Sequence, residues 1–209
     1  MQTRSSNITR NAHLISRSDR AHRNGHLAGV LWFTGLPGSG KSTLTRALEH
    51  RLFELGVQVT VIDNHLVRGG LSADLGFSRT DRAENVRRGA EVSGLLARAG
   101  RLVLAGFISP YRTDRDTARR AVGENFHEIF LDADVAVCER RDSARQYERA
   151  KAGLIAEFTG VSSPYEKPLS PDLTLDTALL DVGQSIGLLV DYVQRHFAVQ
   201  DGINSAGRR

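Results

Sequence analysis

A glycine-rich octapeptide is the clearest chemical signal in the chain. Gly35–Ser42 reads GLPGSGKS and matches the pattern G-x-x-x-x-G-K-[ST] in full. It follows a short apolar run and opens a helical pattern, the context that a phosphate-binding loop requires. In such loops, backbone N–H groups and the helix N-terminus surround the phosphates of a nucleotide. An ordinary glycine turn before a helix is the weaker interpretation, so the octapeptide predicts an ATP site.

The positions of this loop have distinct expected functions. Lys41 reaches the β- and γ-phosphates and is expected to be catalytic, and the hydroxyl of Ser42 binds Mg²⁺. The other residues expected to contact ATP are Gly35, Leu36, Pro37, Gly38, Ser39, Gly40 and Thr43. Together they predict a phosphotransferase that uses ATP with Mg²⁺ and passes the terminal phosphate to a small acceptor.

A carboxylate, Asp63, ends the next predicted strand, Val57–Asp63. At that position it would lie beside the γ-phosphate, where a carboxylate can hold Mg²⁺ through water or accept a proton from an attacking hydroxyl. An aspartate that ends a strand is also often a helix cap, and the residues alone leave both functions open. The third predicted strand, Leu102–Ile108, has no aspartate at its end, which weakens the interpretation as a motor ATPase or a GTPase switch.

Basic and aromatic residues between these two strands form a second candidate site. Arg68, Arg82 and Arg87 suit the bidentate binding of a sulfate or phosphate group. Asn85 lies one helical turn from Arg82, and Phe77 could stack on a base. The alternative is a solvated basic helix face, which runs of charge usually form.

Composition narrows the range of partners. The net charge is +4, but the arginines are scattered and aromatic residues make up only 6%, which favours acidic small molecules over nucleic acid. No apolar run reaches the roughly 20 residues of a membrane-spanning helix, so no membrane partner is expected. The single cysteine, Cys138, excludes an internal disulfide, suits a cytoplasmic location and is expected on an apolar helix face. The polar N-terminus lacks the apolar core of a secretory signal.

Strand and helix patterns alternate along the chain. Strands are predicted at Val30–Thr34, Val57–Asp63, Leu102–Ile108, Phe126–Asp132 and Leu173–Asp176. Helices are predicted at Lys41–Leu55, Thr80–Ala99, Arg112–Val122 and Gly187–Phe197. Leu95 and Leu96 of the second helix are expected to face the core. The alternation predicts an α/β fold of the P-loop kinase type: a doubly wound, mostly parallel five-stranded sheet with helices on both faces.

The length of 209 residues fits one such domain. We expect a polar N-terminal arm over residues 1–28, a kinase domain over residues 29–199 and a flexible tail over residues 200–209. Residues 141–167 are polar and charged and contain Gly153, Gly160 and Pro164. This segment is too long for a passive connection, so we expect a mobile lid over the site.

The order and spacing of several short motifs resemble those of the adenylyl-sulfate kinase family over nearly the whole chain. The residues that carry the resemblance are NGH at 24–26, LWFTGL at 31–36, DLGF at 74–77, DRAENVRR at 81–88, FISP at 107–110, FTG at 158–160, SPYE at 163–166 and LDT at 175–177. The resemblance implies phosphorylation of the 3′-hydroxyl of adenylyl sulfate by ATP, giving 3′-phosphoadenylyl sulfate in sulfate assimilation. It also implies a homodimer.

The same resemblance implies functions for particular residues. Arg68, Arg82 and Asn85 would contact adenylyl sulfate, and Phe77 would stack on its adenine. Ile108 and Ser109 would line the acceptor site, with Ser109 also expected to be catalytic. The lid would close over both nucleotides.

Two departures from the family pattern fall close to the predicted chemistry. The family's Asp-Gly-Asp-Asn is Asp63-Asn64-His65-Leu66 here, so the second carboxylate is replaced by His65. An imidazole can accept a proton near neutral pH, so His65 is also a candidate catalytic residue, but it cannot replace a carboxylate beside Mg²⁺. In the lid the family's Arg-Asp-Pro-Lys-Gly-Leu-Tyr is RDSARQY at 141–147, which removes a lysine and places Arg145 nearby. A diverged kinase with another nucleotide-like acceptor, and a weakly active nucleotide-binding regulatory protein, are therefore alternatives.

Overall fold

Five parallel strands form one sheet at the centre of the chain. The computed structural model describes residues 14–198. The strands are β1 (Gly29–Thr34), β2 (Val59–Asp63), β3 (Leu102–Gly106), β4 (Phe126–Asp132) and β5 (Leu173–Asp176). Their order across the sheet is β2-β3-β1-β4-β5, so β1 is central and pairs with β3 and β4. The predicted fold class is confirmed, and the carboxyl ends of all strands share one edge of the sheet, where ligand sites form in such folds.

Eight helices accompany the strands within residues 14–198. They are α1 (Arg17–Asn24), α2 (Lys41–Glu54), α3 (Asn64–Gly69), α4 (Arg79–Arg98), α5 (Arg112–Val122), α6 (Val135–Arg140), α7 (Gln146–Lys151) and α8 (Val182–Phe197). None of them is both long enough and apolar enough to cross a membrane. The predicted tail, residues 200–209, lies outside the described residues.

The central strand is buried on both faces of the sheet. All six residues of β1 are buried, as its uninterrupted apolar sequence predicts for a parallel strand covered by helices. Leu31 and Phe33 pack on one side among residues of α2 and α8. Val30 and Trp32 pack on the other side among residues of α4 and α5, where Trp32 stacks on Phe107 with 4.6 Å between ring centroids. The sheet therefore has one hydrophobic core on each face.

Some sequence-based expectations about element limits are wrong. β3 ends at Gly106 rather than Ile108, and α8 begins at Val182, five residues before the expected start. Leu95 does not face the core: its side chain is 59% exposed. The buried face of α4 instead contains Val86, Ala90 and Ser93, and Leu95 lies outside the stripe that these positions form on the helix.

Three short helices, α1, α3 and α7, were not predicted, whereas α6 is the helix on which Cys138 was expected. α1 lies in the polar arm and buries none of its residues, but Ser16 and Asp19 form a reciprocal capping box at its start. The side chains of Asp63 and Asp134 cap α3 and α6 by accepting bonds from backbone N–H groups. α7 begins after Arg145, which has a left-handed backbone. The three helices that were not predicted are too short and too polar to produce apolar periodicity.

Gly89 is expected to be essential for the contact between α4 and β3. A Cβ atom there would lie 2.3 Å from Cζ of Phe107, the ring that stacks on Trp32. Gly89→Ala should therefore lower the free energy of unfolding by about 1–3 kcal/mol, measured by urea denaturation. Gly187→Ala is the matched control, since a Cβ atom at this exposed helical position meets nothing within 4 Å. It should raise stability by roughly 0.5–1 kcal/mol. Equal effects of the two substitutions would contradict the assigned packing.

Candidate active site

The glycine-rich loop connects β1 to α2 at the carboxyl edge of the sheet. Gly38 has φ 80° and Gly40 has φ 98°, backbone conformations that favour glycine. A Cβ atom at Gly38 would lie 2.7 Å from the carbonyl oxygen of Cys138, so the loop packs against α6 at the closest possible distance. Gly40 caps α2 without a side-chain hydrogen bond, which leaves the first N–H groups of the helix for an anion.

Lys41 lies under this loop with its ammonium group surrounded by protein. Its Nζ donates to the carbonyl oxygens of Gly35 at 2.9 Å and Leu36 at 2.7 Å. Burial lowers the pKa of Lys41 to about 7. A lysine in this environment is stabilised in its charged form when an anion binds beside it. The loop and Lys41 together fit a polyphosphate.

The groups near the loop also fit Mg²⁺. Ser42, the second residue of α2, lines the cavity beside the loop. No cluster of three or more His, Cys, Asp or Glu side chains that could hold a metal is present within residues 14–198. Mg²⁺ needs no such cluster, because in kinases it is bound by one or two protein groups, waters and the nucleotide phosphates. Ser42 therefore stays the predicted Mg²⁺ contact.

A cavity of about 1120 Å³ extends from the loop across the carboxyl edge of the sheet. Pockets for a single drug-sized ligand measure about 300–1000 Å³, so this cavity is larger than one such ligand requires. Of the residues predicted to contact ATP, it is lined by Pro37, Gly38, Ser39, Gly40, Lys41, Ser42 and Thr43. Of those predicted to bind the acceptor, it is lined by Arg68, Phe77, Arg82 and Ile108. Both predicted groups therefore meet in one cavity.

Phe77 and two arginines form the side of the cavity opposite the loop. The Phe77 ring is 61% exposed, and the guanidinium carbons of Arg68 and Arg82 lie 4.3 and 5.8 Å from its centroid. Burial, together with the charge of Arg82, lowers the pKa of Arg68. Two guanidinium groups this close together favour the binding of an anion beside them. The arrangement suits a ligand with a planar base and an anionic group.

The arginines of α4 separate into two groups. Arg87 donates to Glu84 at 2.7 Å, and Arg88 pairs with Asp74 at 2.6 Å on the outer face of the helix. These pairs agree with the solvated basic face that was the alternative interpretation. Arg82 instead points over the cavity, where it donates to the carbonyl oxygen of Glu157 at 2.7 Å. Only Arg82 of this helix therefore faces the cavity.

The residue at the end of β2 that was expected beside the γ-phosphate, Asp63, does not line the cavity. Asp63 caps α3 by accepting from the N–H of Leu66 at 2.8 Å, and Arg46 lies 3.7 Å from its other oxygen. Asn64 and His65, rather than Asp63, line the cavity. The cap interpretation of Asp63 is thus confirmed, while its catalytic function stays a prediction.

Asn85 and Ser109 lie behind the cavity wall. Asn85 is buried and donates to Oδ1 of Asn64 at 2.8 Å, so it reaches the cavity through Asn64. Ser109 is 2% exposed, and its hydroxyl accepts from Nε1 of Trp32 and donates to Oγ1 of Thr34, both at 3.1 Å. Neither residue lines the cavity, in contrast to Ile108. Direct contact of these two side chains with an acceptor stays a prediction.

Several residues of the segment 141–167 line the cavity. Tyr147 of α7 donates to the carbonyl oxygen of Pro37 in the loop at 2.8 Å, and Phe158 and Thr159 line the cavity. Arg145 pairs with Glu148 at 2.6 Å on the surface and does not reach the cavity. Cys138 is fully buried beside this segment, in a cluster with Tyr147 and Phe158, as expected for an apolar helix face.

One wall of the cavity was not identified from the sequence. It is formed by residues between β5 and the first turns of α8, namely Thr177, Leu180, Asp181, Val182 and Ser185. Thr177 donates to the carbonyl oxygen of Ser39 at 3.1 Å, which fixes this wall to the loop. The motif LDT at 175–177 was the only available signal, because the other residues carry no chemistry that is specific to nucleotides.

Comparison with known proteins agrees with this geometry. A sequence profile of the family described as Adenylylsulphate kinase matches residues 27–176, a range that contains all five strands, the loop and the segment 141–167. The adenylyl-sulfate kinase of Shewanella amazonensis is 49% identical over 182 residues, 87% of this chain and 92% of that protein. The solved APS kinase CysC of Mycobacterium tuberculosis in complex with AMPPNP and APS matches with a TM-score of 0.77 and 43% identity. This match covers 80% of this chain and 99% of that chain. A hexameric APS kinase from Thiobacillus denitrificans matches with a TM-score of 0.63 and 30% identity, over 83% of this chain and 31% of that chain.

Binding of ATP is expected to be coupled to proton uptake by Lys41. Because its pKa in the free protein is about 7, most Lys41 side chains are neutral at pH 8 and must gain a proton beside the phosphates. ATP affinity should therefore fall as the pH rises above 7, and calorimetry at pH 8 in two buffers of different ionisation enthalpy should show uptake of nearly one proton. Lys41→Arg is the control, because arginine stays charged. Equal proton uptake in this variant and the wild type would contradict the prediction.

Proposed function

This chain belongs to the adenylyl-sulfate kinase family, and we propose that it transfers the γ-phosphate of ATP to the 3′-hydroxyl of adenylyl sulfate. The products are ADP and 3′-phosphoadenylyl sulfate, as in sulfate assimilation. The observation that supports this best is that one cavity is lined both by the phosphate-binding loop and by Phe77, an exposed aromatic residue with the guanidinium groups of Arg68 and Arg82 beside its ring. One end suits a triphosphate, and the other suits a nucleotide with an additional anionic group.

The loop holds ATP in this proposal. The N–H groups of the first turn of α2 bind the phosphates, and Lys41 leaves its bonds to Gly35 and Leu36 for the β- and γ-phosphates. The hydroxyl of Ser42 would hold Mg²⁺, which supplies positive charge to the phosphates when it is bound. Lys41 then stabilises the negative charge that develops on the transferred group.

The opposite end of the cavity orients the acceptor. Phe77 stacks on the adenine of adenylyl sulfate, Arg68 and Arg82 bind its phosphosulfate, and Ile108 packs beside it. Support for these contacts comes from the exposure of the Phe77 ring and from the position of both guanidinium groups over the cavity. Asn85 and Ser109 act from behind the wall, through Asn64 and through the turn that carries Ile108.

His65 accepts the proton of the attacking 3′-hydroxyl in this proposal. It is exposed in the cavity, whereas the oxygens of Asp63 are engaged by the N–H of Leu66 and by Arg46. Asp63 therefore orients α3, and with it the side chain of His65. General-base catalysis requires a group within hydrogen-bonding reach of the hydroxyl, which a residue on the cavity wall can provide.

We also propose a lid, a cellular location and an oligomeric state for this enzyme. Residues 141–167 act as a lid on the domain 29–199, supported by the contacts of Tyr147 and Arg82 across the cavity. A cytoplasmic location is supported by the free thiol of Cys138. We keep a homodimer as the proposed assembly, although the relative from Thiobacillus denitrificans is hexameric.

The first test is ADP release with ATP, Mg²⁺ and adenylyl sulfate, compared with the same mixture lacking adenylyl sulfate. We expect ADP formation that depends on the acceptor and disappears in Lys41→Ala, because that substitution removes the charge beside the transferred phosphate. Other 3′-hydroxyl nucleotides serve as alternative acceptors. A much higher rate with one of them would identify that nucleotide, rather than adenylyl sulfate, as the substrate. ATP binding without turnover would indicate a regulatory protein.

The function of His65 can be measured separately. His65→Ala should lower kcat by about 100-fold, the usual size of a general-base contribution, while the Kd for ATP stays unchanged. Leu66→Ala is the matched control, since its exposed side chain lies next in sequence and only its backbone N–H donates to the capping side chain of Asp63. An unchanged kcat in His65→Ala would refute the proposed base. A rise of orders of magnitude in His65→Asp would show that the natural site is impaired.

A further inference from the structure

Arg115 is a buried arginine that the proposed chemistry does not use. It belongs to the polar helix α5, yet it is only 3% exposed. Its Nη1 donates to the carbonyl oxygen of Ser109 and its Nη2 to that of Glu166, both at 2.7 Å. Its Nε lies 2.6 Å from Oε1 of Glu128 on β4. One guanidinium group therefore connects three separate segments at the carboxyl edge of the sheet.

The first of these segments is the turn that carries Ile108 into the cavity. Ser109 has φ 38°, an unfavourable value for any residue other than glycine. Its hydroxyl bonds to Trp32 and Thr34, and its carbonyl oxygen is fixed by Arg115. A strained backbone of this kind persists only where several surrounding contacts determine it, and such positions cluster at functional sites.

The second segment is the C-terminal end of the lid, Tyr165–Lys167, which we call the lid root. The N–H of Glu166 donates to the carbonyl oxygen of Pro110 at 2.8 Å, and its carboxylate accepts from the N–H of Arg112 at 2.9 Å. Lys167 pairs with Asp132 at the end of β4 at 2.8 Å. These bonds attach the lid root to the same turn that Arg115 fixes.

Tyr165 completes the attachment of the lid root to the central strand. Its hydroxyl lies 2.9 Å from Oγ1 of Thr34, and Thr34 itself donates to the carbonyl oxygen of Ile108 at 2.8 Å. Because the one proton of the Thr34 hydroxyl is donated to Ile108, Tyr165 is the donor to Thr34. The lid root and the turn at Ser109 are therefore both hydrogen-bonded to Thr34 and to Arg115.

We propose that Arg115 is a positioning residue for the acceptor: by holding the Ser109 turn against the lid root, it sets the position of Ile108 and of the lid over adenylyl sulfate. This inference rests on the proposed function. The third partner, Glu128, balances the buried charge of the guanidinium group. None of the hydrogen bonds of Arg115 reaches the Gly35–Ser42 loop, so ATP binding does not depend on it.

Arg115→Lys is the test, because lysine keeps the charge, but its one ammonium nitrogen cannot replace the separate Nη1 and Nη2 donors that bind the carbonyl oxygens of Ser109 and Glu166. We expect the KM for adenylyl sulfate to rise by about 10- to 100-fold, with the Kd for ATP within about twofold of the wild type. Arg119→Lys is the matched control. Arg119 lies one turn further along α5 and interacts with Glu128 and Asp172, but it contacts neither Ser109 nor the lid root. It should leave both constants unchanged.

Binding of adenylyl sulfate in the presence of ADP, measured by calorimetry, gives a readout that does not require turnover. Arg115→Lys should weaken this binding by the same factor as it raises KM. If Arg115→Lys does not fold, the double variant Arg115→Met with Glu128→Gln removes both buried charges and should show the same selective loss.

Two results would overturn the proposal for Arg115. One is an unchanged KM and an unchanged affinity for adenylyl sulfate in the folded variants. The other is an equal loss of ATP affinity, which would indicate a general structural function. Failure of the proposed function is distinguishable from both, because the wild type would then show neither binding nor phosphorylation of adenylyl sulfate.

Discussion

The packing of the Gly35–Ser42 loop against neighbouring backbone is the constraint on which the rest of the site depends. Cβ atoms at Gly35 and Gly38 would each lie 2.7 Å from a carbonyl oxygen, of Leu131 and Cys138 respectively. The loop can direct its N–H groups toward phosphate only in this compact conformation. The end of β4 and helix α6 must therefore occupy fixed positions beside it. The buried thiol of Cys138 follows from this packing and needs no chemical function.

The parts of the fold that the sequence predicts are those whose pattern is determined by burial. β1 is apolar without interruption because helices cover both faces of the sheet, and α5 and β4 have the predicted limits. α1 has no such pattern, since none of its residues is buried, and only Ser16, Asp19 and Gly25 mark its ends. The expected position of Leu95 was wrong because the buried stripe of α4 runs through Val86, Ala90 and Ser93, and Leu95 lies on another side of the helix.

The candidate site also has one part that the sequence predicts and another that it does not. The phosphate-binding loop is local in sequence, and eight adjacent residues specify both its shape and its chemistry. The environment of Ser109 depends instead on Trp32 and Thr34, which are 77 and 75 positions away, and on Arg115. Nothing in the FISP motif indicates that its serine side chain points away from the cavity. The wall at the start of α8 was missed for the same reason, because it is specified by topology rather than by residue type.

The two ends of the cavity are fixed by different kinds of contact. This difference explains why the chain departs from its family pattern in the residues after β2. The ATP end is shaped by backbone packing at glycines, and it matches the expected motif at every specified position. In the segment after β2, the side chain of Asp63 caps α3 by accepting from the backbone N–H of Leu66, and any residue other than proline can supply that N–H. Leucine can therefore replace asparagine at position 66 without loss of the cap. His65 has no comparable function in capping α3, since its side chain faces the cavity. The replacement at position 65 consequently changes the chemistry available to the acceptor while the fold around it stays the same.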